Sequence, residues 1–463
     1  MSFVLDLLYL LAGAAISPMV LYRVIRHRRY RSGWAQRFGK ITRKSPEKKC
    51  IWLHAVSVGE VNAAKTLIRE LENRFPDFEI VISAVTDTGF AQANALFGRN
   101  LKVFYFPLDL SWIMHRAFNN IRPAVCLLME LEVWPNFVQI ARQLNVPVIV
   151  INGRISNKSF SRYRIVRPIA KTIFRKVGLV LAQTNEYARR FKELGCPDEK
   201  VIVTGSLKYD TAQITEKVEG ADTLAAQLFG KSEIRNPKSE ILLWVAGATG
   251  NDEEKILLEV YQNLKQQKQF SDLRLAIIPR KPERFDEVAQ LIEQSGFNLI
   301  RYSELKKATP DTVAKSKIEN RNLSAAPLAE SKIDSVILGD TMGDLRKFYS
   351  LATIIFVGRS LVPMGGSDMM EAAALGKCTI FGPYAFNFKQ AVDALLADNG
   401  AIMVKDKEDL LRTIQKCLLE PAYADKIARN GREVIRKNQG ATQKSIEQIA
   451  GFLKATEKKI ATN

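Results

Sequence analysis

The residues of this chain best suited to chemistry are carboxylates and arginines at the ends of apolar runs, rather than histidines or cysteines. His54-Ala-Val-Ser-Val-Gly-Glu60 leaves a short β-branched run and enters a helical stretch. A carboxylate at such a turn accepts a proton from a hydroxyl once burial raises its pKa. Its plainer use is to sit against the positive end of the helix. Met129 to Asn136 (M-E-L-E-V-W-P-N) sets Glu130 and Glu132 just beyond a buried run, where a period of two puts them on one face. There they hold either a ligand hydroxyl or a basic side chain. Ala246 to Thr249 (A-G-A-T) reads as a strand-to-helix turn whose amides, with the Thr249 hydroxyl, suit a phosphate. Arg280, after the next run, reaches the same anion in bidentate fashion, unless it is simply a surface arginine. In Val362 to Gly376, the pair Gly365-Gly366 permits close backbone approach to a ligand. A helix then begins near Ser367 or Asp368, either of which suits a cap, and Glu371 falls in its first turn. The 3 histidines and 5 cysteines are scattered without zinc spacing. No metal or cofactor is expected, and the cysteines read as reduced and mostly buried.

Such turns need scaffolds. The length of 463 residues exceeds one ordinary core. Seven β-branched runs follow Cys50: I-W-L-H-A-V, E-I-V-I-S-A-V, K-V-F-Y-F, A-V-C-L-L-M, V-P-V-I-V-I, L-V-L-A-Q and K-V-I-V-T-G. After a polar stretch the pattern resumes with I-L-L-W-V-A-G, L-R-L-A-I-I-P, S-V-I-L-G, T-I-I-F-V-G, C-T-I-F-G and A-I-M-V. Near-continuous apolar strands alternating with helices predict parallel sheets covered on both faces. The expected order is an anchor helix over 1–22, a Rossmann-like domain over 23–212, a linker over 213–240, a second such domain over 241–430 and a helical tail over 431–463. Thr309 to Lys332 reads as a long surface loop. Two such domains predict a cleft, with ligands at the carboxyl ends of the strands.

Hydrophobic residues make up 47% of the chain and charged residues 25%, which excludes wholesale disorder. The net charge of +19 calls for an anionic partner. Phe3 to Tyr22 is nearly all apolar, about the twenty residues a crossing needs. Asp6 and Pro18 interrupt it near its ends. From Arg23 to Lys49 the chain carries many Arg and Lys and one acid, Glu47. Positive charge after an apolar helix stays on the cytoplasmic side and attracts anionic lipid; a cleaved signal would carry it before. The expectation is an uncleaved anchor in the inner membrane, single-pass or monotopic, with the catalytic body on the cytoplasmic face. A second basic segment, Ile151 to Lys176, contains no acid at all. It suits acceptor phosphates or anionic lipid, or is a solvated helix face. Without an RNA-recognition or helix-turn-helix signature, nucleic acid is not expected.

In order along the chain, H-A-V-S-V-G-E, S-A-V-T-D-T-G (Ser83 to Gly89), P-L-D (Pro107 to Asp109), M-E-L-E-V-W-P-N, N-G-R-I-S (Asn152 to Ser156) and T-G-S-L-K-Y-D (Thr204 to Asp210) are followed by A-G-A-T, P-R-K-P-E-R-F (Pro279 to Phe285), D-T-M-G-D-L (Asp340 to Leu345) and F-G-P-Y-A-F-N-F (Phe381 to Phe388). This series resembles the signatures of the 3-deoxy-D-manno-oct-2-ulosonic acid (Kdo) transferases, GT-B glycosyltransferases of lipopolysaccharide biosynthesis. The resemblance covers nearly all of the chain after the anchor. It implies an α/β fold of GT-B architecture, two Rossmann-like parallel-sheet domains facing a cleft, to which the residues themselves add the N-terminal membrane-anchor helix. It implies transfer of Kdo from CMP-Kdo to lipid A precursor (lipid IVA) with inversion; the residues themselves add the expectation of no metal or cofactor, and of anionic inner-membrane lipids as a partner. By the same resemblance Glu60 is the catalytic base. Ser57, Glu130, Arg154 and Lys208 lie on the acceptor side. Ala248, Thr249, Arg280, Gly343, Gly365, Gly366, Glu371 and Asn387 lie on the donor side, with Phe386 and Phe388 in the core. Ser367-Asp368 stands where the family usually has His-Asn, Glu371-Ala372 where it has Glu-Pro, and Gly250 where it has a histidine. The rival readings are another GT-B enzyme, a transferase or epimerase using a UDP-sugar, and a non-catalytic membrane-attached glycolipid-binding module; only an enzyme should respond to Glu60→Gln.

Overall fold

The computed structural model describes residues 2–26, 32–234, 242–307 and 334–461. They form two compact units, one of residues 1–211 with 438–463, the other of residues 212–437.

In the first unit, strands β1 (Lys49–His54), β2 (Phe78–Ala84), β3 (Lys102–Tyr105), β4 (Val125–Met129), β5 (Val148–Gly153), β6 (Leu179–Ala182) and β7 (Val201–Val203) pair in the order β3-β2-β1-β4-β5-β6-β7. Every pairing is parallel. The strand order reverses between β1 and β4, so two turns far apart in sequence become neighbours. Both faces of the sheet are covered, as its unbroken apolar strands require. On one face Trp52 packs its ring 4.9 Å from Phe137 and 5.3 Å from Phe118, centroid to centroid, and donates its Nε1–H to Ser83 Oγ at 2.8 Å. The helices that matter below are α1 (Ser2–Arg26), α2 (Val58–Arg74), α3 (Ser111–Ile121), α4 (Pro135–Gln143), α5 (Asn157–Ile165), α6 (Arg167–Phe174) and α7 (Leu207–Thr211).

The second unit repeats the plan. Its strands are β8 (Leu243–Thr249), β9 (Arg274–Pro279), β10 (Asn298–Arg301), β11 (Ser335–Leu338), β12 (Ile354–Val357), β13 (Cys378–Phe381) and β14 (Ile402–Met403), ordered β10-β11-β9-β8-β12-β13-β14 and again parallel throughout. Here the reversal lies between β8 and β12. Helices α8 (Glu253–Lys265), α9 (Leu345–Leu351) and α10 (Met370–Ala374) flank it. β10 escapes a reading by apolar runs because it is short and no residue in it is fully buried.

Several expectations change. The 213–240 linker holds a helix, Ala221–Ile234, whose Leu224, Leu228 and Phe229 are buried in the second unit. The tail is two helices, Pro421–Asn438 and Ala441–Ala461, and the latter belongs to the first unit. There Asp210 accepts from the amides of Gly440 at 2.7 Å and Thr442 at 2.5 Å, which satisfies otherwise orphaned donors at the helix start. The Thr309–Lys332 loop lies outside the described residues. All five cysteines are buried and unbridged, as expected.

The anchor expectation needs correction. The helix forms, but among the described residues no helix is long and apolar enough to cross a membrane. Two of its polar residues, Asp6 and Tyr9, are spent on the protein. Asp6 accepts from the Ser111 amide at 2.9 Å, the Ser111 hydroxyl, and Asn136 Nδ2 at 2.9 Å. Tyr9 donates to Asp109 at 3.2 Å. Asp109 also accepts from the Asn136 and Phe137 amides at 3.0 and 2.8 Å. The P-L-D and W-P-N motifs thus form the socket of α1. Part of the 23–49 basic run is likewise internal: Arg43 pairs with Glu79 at 2.7 Å, and Arg37 stacks 4.3 Å over the Tyr105 ring, both buried.

Asp109→Ala strands two buried amides and loosens α1. A loss of about 2–4 kcal/mol in unfolding free energy is expected, measurable by chemical denaturation.

Candidate active site

At the carboxyl end of β1 the chain turns through Ser57, which caps α2. Glu60, in the first turn of that helix, bends back over the turn. One carboxylate oxygen accepts from the Val56 amide at 2.9 Å, the other from the Ser57 hydroxyl at 2.9 Å. Ser57 is therefore engaged with Glu60. The arrangement is like a capping box, but the glutamate reaches one residue further back, to Val56, so it grips the strand exit and stays half-exposed. Burial pushes the Glu60 carboxyl up; the Val56 amide holds it down, the Glu130 charge pushes it further up, and Lys208 opposes that.

Glu130 follows β4, the strand beside β1. It is not in extended backbone, as period two assumed, but at φ 53°, in the left-handed region. Its amide donates to the Ile151 carbonyl at 2.9 Å. Glu132 lies in the same turn and accepts from Trp134 Nε1 at 2.9 Å. Burial pushes the Glu132 carboxyl up to about 7, with the Glu60 charge adding to it. Glu60, Glu130 and Glu132 thus form one electrostatic group, of which the strand periodicity unites only the last two. Arg154 follows β5 and is half-buried, with no carboxylate partner among the described residues. Lys208, in α7, is close enough to act on Glu60. His54 is a core residue: its Nδ1 lies 3.0 Å from Ser83 Oγ, its ring stacks 3.9 Å from Phe106, and burial pushes its pKa down to about 3.

In the second unit the turn after β8 is built differently from the expectation. Ala248 sits at φ 55°. The Thr249 side chain is buried and donates to Glu254 at 2.8 Å, and Glu254 is clamped by Arg284 at 2.6 Å. That hydroxyl is committed to the fold. Glu253, fully buried, accepts four amides: Gly250 at 3.2 Å, Arg359 at 2.5 Å, Ser360 at 2.9 Å and Leu361 at 3.0 Å. It stitches the turn after β8 to the turn after β12. In sequence Glu253 and Glu254 look like ordinary acids at a helix start, so neither drew attention.

Arg280 leaves β9 with its amide on the Thr249 carbonyl at 3.1 Å and its side chain exposed. Gly365 and Gly366 have φ 92° and 80°. A Cβ on Gly365 would meet Asn387 Nδ2 at 2.1 Å, so the glycine is required by that approach. The Asn387 amide donates to Gly365 O at 3.1 Å, which places Asn387 beside the glycine pair, exposed. Phe386 is 61% exposed and Phe388 half-buried, so neither is the core residue expected. Ser367 donates to Ala248 O at 3.1 Å, and Asp368 accepts the Met370 amide at 2.9 Å. Glu371 is half-buried in α10; burial and then Asp368 push its carboxyl up, against Arg346. Gly343 is exposed at φ 88°. Next to it Asp344 is held at about 2, burial being outweighed by Lys306, Lys347 and Thr341. A side chain at Gly250 would collide with Met364 Sδ at 2.6 Å and Arg359 Cγ at 2.9 Å, so the place of the missing histidine is filled. Among the described residues no group of three or more His, Cys, Asp or Glu is arranged to hold a metal ion.

Residues 32–211 match the family described as 3-Deoxy-D-manno-octulosonic-acid transferase (kdotransferase). The chain is 32% identical over 431 residues to a 3-deoxy-D-manno-octulosonic acid transferase of Haemophilus influenzae, covering 93% of each chain. A glycosyltransferase of Rickettsia africae shares the fold at TM-score 0.53 and 16% identity, over 88% of this chain and 99% of its own. A UDP-GlcNAc 2-epimerase of Neisseria meningitidis does so at TM-score 0.52 and 15% identity, over 87% and 100%. The two parallel-sheet units thus resemble GT-B enzymes, and fold alone leaves transferase and epimerase undivided.

Glutamate in an unfolded chain ionises near pH ~4.3, whereas folded Glu132 holds its proton up to about 7. Stability contributed by the protonated form therefore drains away as pH rises between those values. Glu132→Gln, which keeps the acceptor for Trp134, should match the parent at low pH and gain on it up to neutrality. The gain should level off at roughly 3 °C in melting temperature, read by thermal unfolding across pH.

Proposed function

Because the chain belongs to the 3-deoxy-D-manno-octulosonic acid (Kdo) transferase family, as its identity to the Haemophilus influenzae protein over 93% of both chains establishes, we propose that it transfers Kdo from CMP-Kdo to a lipid A precursor (lipid IVA), with inversion at the anomeric carbon. The observation that carries this reading is Glu60: a carboxylate fixed at a strand end by Val56 and Ser57, half-exposed, with its proton affinity raised by burial. Those are the properties of a general base acting on a hydroxyl.

In the proposed reaction Glu60 takes the proton of a primary hydroxyl on the acceptor glucosamine. The freed oxygen pair forms the bond to the anomeric carbon of Kdo. The bond from that carbon to the phosphate oxygen breaks, and CMP departs with the electron pair. Arg154 and Lys208 offer positive charge to acceptor phosphates, and Glu130 a carboxylate to a hydroxyl. On the donor side Arg280 pairs with the departing phosphate, while Glu371 and Asn387, set by the Gly365-Gly366 turn, hold hydroxyls of the nucleotide. Arginine in place of a divalent ion supports a metal-independent reaction.

The place of work is proposed to be the cytoplasmic face of the inner membrane, with α1 in the surface rather than across it. Leu7, Leu8, Leu10 and Leu11 are 50–60% exposed on α1, while Asp6 and Tyr9 tie the same turns to the body. Nearby, α5 and α6 expose Ile165, Val166 and Ile169 between Arg162, Arg164 and Arg167, all exposed. Apolar tips among cations suit an anionic lipid surface.

The direct test incubates purified protein with CMP-Kdo and a tetraacylated lipid A precursor in EDTA, following CMP release and lipid mass. The lipid should gain whole Kdo units, and Glu60→Gln should lose about 10²–10⁴ in rate with its melting temperature unchanged. No transfer by folded protein with intact donor overturns the reading and redirects it to UDP-sugars; transfer that survives Glu60→Gln overturns the base. Replacing Ile165 and Ile169 together by Glu should weaken cosedimentation with anionic phospholipid vesicles by about tenfold. Unchanged sedimentation would remove this surface from the membrane.

A further inference from the structure

We infer that Arg359, a residue outside every motif considered above, is a second cation of the donor site and binds the anionic part of the sugar nucleotide. The inference rests on the proposed CMP-sugar donor.

Arg359 lies two residues beyond β12, and β12 pairs with β8 where the strand order reverses. In doubly wound sheets that is where ligands bind. Its φ is 61°, a conformation that glycine adopts without strain and an arginine does not. The surroundings hold it there. Its amide donates to Glu253 at 2.5 Å, its carbonyl accepts from Gly366 at 2.7 Å, and the next two amides also end on Glu253. The same residue therefore braces the glycine turn that carries the expected donor contacts.

The side chain has no such reason to be where it is. Of five N–H donors in a guanidinium, one meets the Met364 carbonyl at 3.2 Å. The Nε is buried without an acceptor. Among the described residues no carboxylate pairs with it; Glu253, the acid in contact with its backbone, has its oxygens occupied by amides. The aliphatic stem fills the space over Gly250, which any long side chain would do. It is the charged head that is unexplained, and a half-buried guanidinium without an anion is unfavourable. Arg280 flanks the same turn, with its amide on Thr249 O, and a Cβ on Gly358 would lie 2.5 Å from Thr249 Cα. The backbones of Arg280 and of Gly358, the residue before Arg359, thus both border Thr249. A CMP-Kdo donor brings two anionic groups, the phosphodiester and the sugar carboxylate, either of which a guanidinium binds in bidentate fashion.

Arg359→Gly, Arg359→Lys and Arg359→Gln, in the full chain, are compared with the parent. CMP and cytidine affinities come from calorimetry, the KM and kcat for CMP-Kdo from CMP release, and melting temperature from thermal unfolding. Arg359→Gly relieves the backbone and should melt at or above the parent temperature. If the arginine binds phosphate, that variant loses about ten- to hundredfold in CMP affinity and little for cytidine. If it binds the carboxylate, CMP affinity holds and the KM for CMP-Kdo rises by the same factor. Arg359→Lys falls between, having charge without the planar fork. Should the glycine variant fail to fold, Arg359→Gln carries the same comparison. Unchanged CMP affinity together with unchanged KM overturns the inference, as does an equal loss for cytidine and CMP. A parent protein that binds neither CMP nor cytidine defeats the donor reading itself, and this inference with it.

Discussion

Parallel strand pairing is the constraint on which the site depends. A strand whose neighbours all run the same way delivers its carboxyl end to the same edge as theirs, and each chain must leave that edge through a turn into a helix. In the first sheet this collects Glu60 after β1, Glu130 after β4, Arg154 after β5 and Lys208 after β7. In the second it collects Thr249, Arg280 and Arg359 at the ends of β8, β9 and β12. The reversal of strand order makes β1 the partner of β4, and β8 the partner of β12. Residues about 70 positions apart in the first sheet and about 110 in the second are thereby set side by side, and no loop has to reach far to do it.

The same side chain then serves opposite ends according to how fully it is satisfied. Glu253 is enclosed and accepts four amides, so it acts as a rivet between two turns. Glu60 accepts one amide and one hydroxyl, keeps part of its surface, and feels the charges of Glu130 and Lys208. Burial pushes the carboxyls of Glu60, Glu253 and Asp109 all up, Asp109 to about 7, so access is what separates them: the half-exposed one can meet a hydroxyl, whereas the enclosed, saturated ones are structural parts. The Asp6–Asp109 socket follows the first pattern. Its carboxylates are consumed by Ser111, Asn136, Phe137 and Tyr9, and they convert an apolar helix into a braced one.

The sheets were legible because buried parallel strands are unbroken apolar runs, and thirteen such runs announce themselves. β10 was not, since none of its residues is fully buried. Glu60, the glycine pair and Arg280 were legible because a turn after a strand marks its own position. What the sequence could not reveal were partners set by contact across the fold. Thr249 looks like a free hydroxyl until Glu254 is seen to take it. Phe386 looks like core until the turn exposes it. Glu60 joins Glu130 and Glu132 only across the fold, and Glu130 sits in a left-handed turn rather than in the extended backbone that a period of two supposes. The α1 segment reads as a crossing helix from its sequence, yet among the described residues no helix is long and apolar enough to cross a membrane, and the socket explains its Asp6.

The central claim is that Glu60 is the base and that burial with its carboxylate neighbours sets its proton affinity. The pH dependence of kcat/KM for Kdo transfer, measured on the parent and on Glu130→Gln, tests it most directly. The account predicts an acid limb above the ordinary glutamate value of about 4.3. Removing the Glu130 charge should move that limb to lower pH, because a like charge nearby raises a carboxyl pKa. A limb at the ordinary value, or one that stays in place in Glu130→Gln, would contradict it.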